Sequence, residues 1–191
     1  MILRDSRPRE RGHYATLSYC SGSRNHIQTT RANVESFHKG LNIAQLPRTF
    51  QDAIEFTRSL GLRYLWIDAL CIITDDSIDK QQQCKHLGTI FRNCLVNIRV
   101  GNATNVNEGF LRKPPPAKIT SVRVLVRNSP HSLERATTIA FIKAVDEPMF
   151  NWRYLEGSLD SRAWCRMEST FARRCIVFTT FNVSPKLCFN K

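Results

Sequence analysis

Glu168 is the carboxylate whose setting points most directly to chemistry. It lies one helical turn after Trp164, on a face adjoining an apolar stripe. A carboxylate half-buried by aromatic rings stabilises an oxocarbenium-like centre, as in cleavage of a glycosidic bond. The alternative is a surface glutamate paired with Arg162 or Arg173. Asp68 is the second candidate: it follows the apolar run Arg63 to Ile67 and would face a ligand or a cation, or else cap the next turn or pair with an arginine. Ser18 and Ser21 are hydroxyl candidates, but no GxSxG surrounds them and no paired histidine accompanies them, so a serine hydrolase is disfavoured. Asp75, Asp76 and Asp79 have the look of a metal loop but lack the glycine and the closing glutamate of an EF-hand, which leaves a solvated turn. Neither GxxxxGK[ST] nor GxGxxG occurs, so the standard nucleotide loops are missing. The seven cysteines (20, 71, 84, 94, 165, 175 and 188) form no CxxC pair. A zinc ribbon or a thioredoxin-type site is therefore not expected, and reduced, mostly buried thiols are.

These residues have to be carried by regular elements. Tyr14 to Tyr19 reads as a strand and Cys20 to Asn25 as a turn of small polar residues. Val34 to His38 suggests a helical turn. The strongest helix is 47–60, with Pro47 at its first position, Gly61 at its stop, and Phe50, Ala53, Ile54, Thr57 and Leu60 on one face. Arg63 to Ile67 is a buried strand. A helix over 78–93 carries the stripe Cys84, Leu87, Ile90, Phe91 and Cys94, and Leu95 to Val100 is the next strand. A loop over 101–117 ends in Pro114 to Pro116. A strand over 119–126 and a helix over 133–145 are expected next. A last helix over 160–173 precedes a strand over 175–180. Strands alternating with helices predict an α/β fold with a mostly parallel sheet. Such sheets bind ligands beyond the carboxyl ends of their strands. Fold logic therefore draws together the Ser18–Gly22 turn, Asp68 and the helix bearing Trp164 and Glu168.

The chain has 191 residues, enough for one domain, and 42% of them are hydrophobic, enough for a sizeable core. No apolar run approaches the ~20 residues of a membrane helix. Residues 1–13 are basic and loose, with Arg at 4, 7, 9 and 11 and no apolar stretch of a secretory signal. The net charge is +12, from 28 basic and 16 acidic residues. That charge admits nucleic acid, an anionic membrane or a phosphorylated ligand. The basic residues are scattered rather than blocked, which argues against nucleic acid and against a membrane surface.

Three segments, in this order, resemble the fungal heterokaryon incompatibility (HET) domain. The family's LSYxWG motif is matched by Leu17-Ser18-Tyr19-Cys20-Ser21-Gly22. Its LWIDxxCIxQ motif is matched by Leu65 through Thr74. Its RxWxxQE motif is matched by Arg162 through Glu168, and its LP…T…DA stretch by the helix from Leu46-Pro47 through Gly61. The departures are Ser21 for Trp, Thr74 for Gln and Met167 for Gln, all at polar or aromatic positions within a kept apolar frame. The resemblance implies a three-layer, TIR-like or flavodoxin-like domain over 14–181, followed by a short tail over 182–191, shorter than in longer members. It implies a cytoplasmic protein of non-self recognition and the cell death that follows fusion, acting by self-association or with another incompatibility protein. The segment Ser161 to Glu168 is also similar to the helix of TIR enzymes written SxWCxxE, whose glutamate serves in NAD cleavage. By that likeness Glu168 is the catalytic carboxylate. Ser18, Tyr19, Gly22, Asp68, Trp164 and Arg162 line the ligand site, NAD is the substrate, and no metal or resident cofactor is expected. A non-enzymatic interaction module of the same fold is the alternative.

Overall fold

The computed structural model describes residues 1–6, 10–22, 26–111, 168 and 170–179, and the backbone of 183–187. All of them fall in one compact unit, Met1–Arg112 with Arg153–Lys191. The expected loop end at Pro114 to Pro116, strand 119–126, helix 133–145 and first part of helix 160–173 lie outside the described residues.

In chain order the elements are β1 (Tyr14–Ser18), α1 (Val34–Lys39), α2 (Arg48–Ser59), β2 (Tyr64–Trp66), α3 (Asp68–Cys71), α4 (Ser77–Asn93), β3 (Val96–Val100), β4 (Arg174–Phe178) and β5 (Val183–Leu187). A helical turn holding Glu168, Thr170 and Phe171 precedes β4. The strands form one sheet in the order β2-β1-β3-β4-β5. The first four are parallel and β5 closes the edge antiparallel. This is the α/β fold with a mostly parallel sheet that the sequence predicts. β5 is additional: the tail contains a strand, with Pro185 opposite Ile176 on an edge, the place where a sheet tolerates a proline.

Alternation along the strands divides the side chains between two layers. Ala15, Leu17, Ile98, Val100 and Phe178 face α2, where Phe50, Ala53 and Ile54 complete the larger core. Cys175 and Val177 face the opposite way, against Leu87 and Phe91 of α4 and Ala172, with Tyr14, Trp66 and Phe171 alongside. Helices thus cover both faces in three layers. The α4 backbone comes close to the ring of Phe171 at Gly88, where a Cβ would stand 3.4 Å from it.

Three helix expectations are corrected in detail. Pro47 is the N-cap of α2, not its first helical residue. Leu60 is exposed, because it is the residue that ends α2 and turns the chain into Gly61. Cys84 is exposed as well, since only the second half of α4 docks on the sheet and none of residues 77–86 is buried.

Candidate functional site

β1 has β2 on one side and β3 on the other: the connection from β1 runs to β2, and the next one, from β2, crosses back past β1 to β3. The carboxyl ends of β1 and β3 therefore flank the point where the winding of the sheet reverses, the usual ligand crevice of an open α/β sheet. On the α4 face, this end of the sheet is polar. Thr16 lies beside Asn97 and Ser18 beside Arg99 in the parallel register. All four are buried, as is Glu168, and the exposures of Thr16, Ser18, Asn97 and Glu168 are 0%, 1%, 0% and 5%. Strands covered on both faces ordinarily carry apolar side chains throughout. Here one face is polar at one end only.

The hydrogen bonds define an ordered set. Ser18 Oγ donates to Glu168 Oε2 at 2.5 Å. Asn97 Nδ2 donates to Ser18 Oγ at 3.1 Å. Thr16 Oγ1 donates to Asn97 Oδ1 at 3.2 Å. A hydroxyl has one proton, and a carboxylate only accepts. With the Ser18 proton on Glu168, the amide of Asn97 completes the serine from its other side. Thr16 also lies 3.5 Å from Cys94 Sγ, whose thiol donates to Phe91 O at 3.1 Å. Burial is the main cause that holds the Cys94 thiol above its usual range. Burial, with Cys94 nearby, pushes the Tyr14 phenol up to about 12, and its hydroxyl donates to Ile90 O at 2.7 Å.

The Ser18–Glu168 contact joins residues 150 positions apart, the first and third motifs. The remaining predicted site residues fall as follows. Tyr19 points to the opposite layer, its ring edge-on to Phe50 at 5.1 Å. Asp68 opens α3 just past β2 and accepts from its neighbour Ala69 N at 2.7 Å. It follows Trp66, the last residue of β2 and the partner of Thr16 in β1, by two positions, and so lies beyond the carboxyl end of β2. Thr29 holds α3 there by donating twice: its N–H donates to Ala69 O at 2.9 Å and its Oγ1 to Leu70 O at 2.7 Å. Arg162 and Trp164 lie outside the described residues.

Gly22 has φ +69°, and a Cβ there would stand 2.4 Å from Asn105 Cβ and 3.0 Å from Asn105 Cα. The glycine lets the turn after β1 rest on the loop after β3, where Val106 N donates to Ser21 O. Gly22→Ala is expected to cost about 2 kcal/mol or more in urea unfolding, from the left-handed backbone and the steric overlap together.

The sequence reading missed Asn97 and Arg99. The signal was present: both polar side chains of LVNIRV share one face of an otherwise apolar strand. The acidic cluster is spent locally. Asp76 caps α4 through Ile78 N and Asp79 N, Asp79 accepts from Ile73 N, and Asp75 accepts from Arg31 N. Among the described residues no group of three or more acidic, Cys or His side chains is placed to hold a metal ion. In the second motif, Thr74 Oγ1 donates to Thr29 O at 3.0 Å. Cys71 lines an apolar cavity of about 50 Å³ with Leu41, Leu65, Ile67 and Leu70. Burial pushes its thiol up to about 11. Iodoacetamide at pH 8 is therefore expected to label exposed Cys84 and spare Cys71 in the folded protein, read by peptide mass mapping.

Among the described residues no helix is long and apolar enough to cross a membrane. No curated protein and no solved structure gives a match to the chain. The family model described as heterokaryon incompatibility protein (HET) matches residues 14–168, from the start of β1 to the buried glutamate. The chain that brings Ser18 and Glu168 together across this sheet belongs to the HET family, and with it to heterokaryon incompatibility.

Proposed function

We propose that the chain is a cytoplasmic signalling domain of fungal non-self recognition that promotes cell death by cleaving NAD, with Glu168 as the catalytic carboxylate. The observation that carries this reading is a buried glutamate, 5% exposed, at the switch point between β1 and β3. In the reaction, the bond between C1′ of the ribose and the nicotinamide nitrogen breaks. Nicotinamide leaves with the bonding pair as a neutral molecule, and positive charge develops at C1′ and the ring oxygen. The carboxylate of Glu168 stabilises that charge. Water adds to C1′ and gives up a proton, so NAD and water yield ADP-ribose, nicotinamide and H⁺.

A second reading rests on the same contact. A glutamate buried and engaged by Ser18 also serves as the closing piece of a structural network, in a module that works by self-association or by binding another incompatibility protein. Incubating concentrated, purified protein with NAD separates the two. Nicotinamide release by the wild type that is lost in Glu168→Ala supports the enzyme. Ordered oligomers with no nicotinamide release overturn it in favour of the module.

A further inference from the structure

We infer that Asn97 is a positioning residue that orients Glu168 through the hydroxyl of Ser18, an inference that rests on Glu168 being the catalytic carboxylate. Asn97 lies on β3, between β1 and β4, and is fully buried. An amide there carries a desolvation cost that an apolar residue would avoid, unless all its polar atoms are used. They are used directionally. Thr16 donates to the amide oxygen, which Ser18 Oγ also approaches at 3.2 Å, and the amide nitrogen donates to Ser18 Oγ. With the amide nitrogen on its lone pair, Ser18 acts as donor, and its single proton goes to the carboxylate of Glu168 at 2.5 Å rather than to Asn97 Oδ1 at 3.2 Å. Without Asn97 the serine hydroxyl is free to rotate about χ1 and to donate elsewhere. Its hold on one rotamer of Glu168 would then weaken. Reacting groups displaced by about 1 Å lose rate steeply, on the order of 100-fold, while substrate binding elsewhere on the protein persists.

The test is a mutant cycle between positions 97 and 168, read in urea unfolding with Ser18 present and again with Ser18→Ala. The four proteins of each cycle are the parent, Asn97→Leu, Glu168→Ala and the double variant. Asn97 acting through Ser18 gives a coupling of about tenfold in the unfolding equilibrium constant, which falls to less than about twofold in the Ser18→Ala background. A residue that merely fills space shows additive effects in both backgrounds. Additivity with Ser18 present, or coupling that survives Ser18→Ala, overturns the inference. Should Asn97→Leu fail to fold, Asn97→Ser takes its place with the same expectation. Steady-state kinetics on NAD give the second readout: Asn97→Leu is expected to lower kcat about 10–100-fold and leave KM within about threefold. A rise in KM with kcat unchanged also overturns it. Coupling in a wild-type protein that cleaves no NAD removes the catalytic reading of Glu168 while upholding the route from Asn97 through Ser18.

Discussion

Replacing Asp52 with alanine is expected to remove about 3 kcal/mol of stability, although its side chain lies on α2, away from the Ser18–Glu168 contact. The side chain is 2% exposed. Its Oδ2 accepts from Phe110 N at 2.7 Å and from Leu111 N at 2.9 Å. Its Oδ1 meets Arg48 Nε at 2.9 Å. Alanine leaves the two amides without this acceptor, at about 1–3 kcal/mol for each donor that stays buried. Arg48 is half-exposed and returns to water, so little is lost on its side. For a domain of this size the change corresponds to a fall in Tm of about 6–12 °C. Asp52→Asn is expected to lose roughly half as much or less: its carbonyl oxygen still accepts from both amides, and only the Arg48 side meets a donor in place of an acceptor. Hydrogen exchange at Phe110 and Leu111 should speed up in the alanine variant before the rest of the sheet opens. A loss under about 1 kcal/mol, with exchange unchanged at those two amides, would show that the loop is held without Asp52, by its apolar anchors Ala103, Val106 and Phe110 and its backbone hydrogen bonds to Ser21 and Thr49.

The Asp52 contacts show what periodicity alone reaches. Helix α2 was legible from Phe50, Ala53 and Ile54 at helical spacing, from Pro47 before it and from Gly61 after it. Asp52 lies between those residues and is buried with them. A hydrophobic pattern assigns a charged residue to the surface, so its partners, backbone amides 58 and 59 positions away, stay hidden. The four parallel strands were legible because each is a short apolar run next to a turn signal. α3 and β5 were not. α3 is four residues long and continues an apolar stretch, and β5 is a strand that contains proline.

The site divides in the same way. Fold logic and motif order brought Ser18 and Glu168 to one edge of the sheet, and their hydrogen bond joins them there. The motif groups Tyr19 with Ser18, but strand alternation separates them, because neighbouring side chains go to opposite faces. Ser18 reaches the polar face and Tyr19 packs on Phe50. Asn97 and Arg99 have the opposite history. Each looks like an interruption of a buried strand until the register sets them beside Thr16 and Ser18. Polar residues two apart in a strand buried on both faces are expensive, and that expense is what marks a site.

On the proposed NAD-cleaving reading, Glu168→Gln is expected to abolish nicotinamide release while preserving the fold. Glutamine keeps the length and volume of the side chain, and its carbonyl oxygen still accepts from Ser18. It removes the negative charge. Stabilising a developing cation at C1′ requires that charge, in a site sheltered from water where it is worth several kcal/mol. The expected loss in kcat is 1000-fold or more, at least about 4 kcal/mol of transition-state stabilisation. Glu168→Asp keeps the charge but withdraws it along the chain. It is expected to retain part of the rate, at a loss on the order of 100-fold, because the carboxylate no longer meets both Ser18 and the ribose from one position. The order wild type, Asp, Gln in nicotinamide release is the signature of electrostatic stabilisation at this carbon. If Glu168→Asp is as inactive as Glu168→Gln, geometry rather than charge limits the site. If Glu168→Gln releases nicotinamide as fast as the wild type, the carboxylate has no part in the chemistry. The buried contact with Ser18 then serves the fold, in a HET domain that signals by assembly.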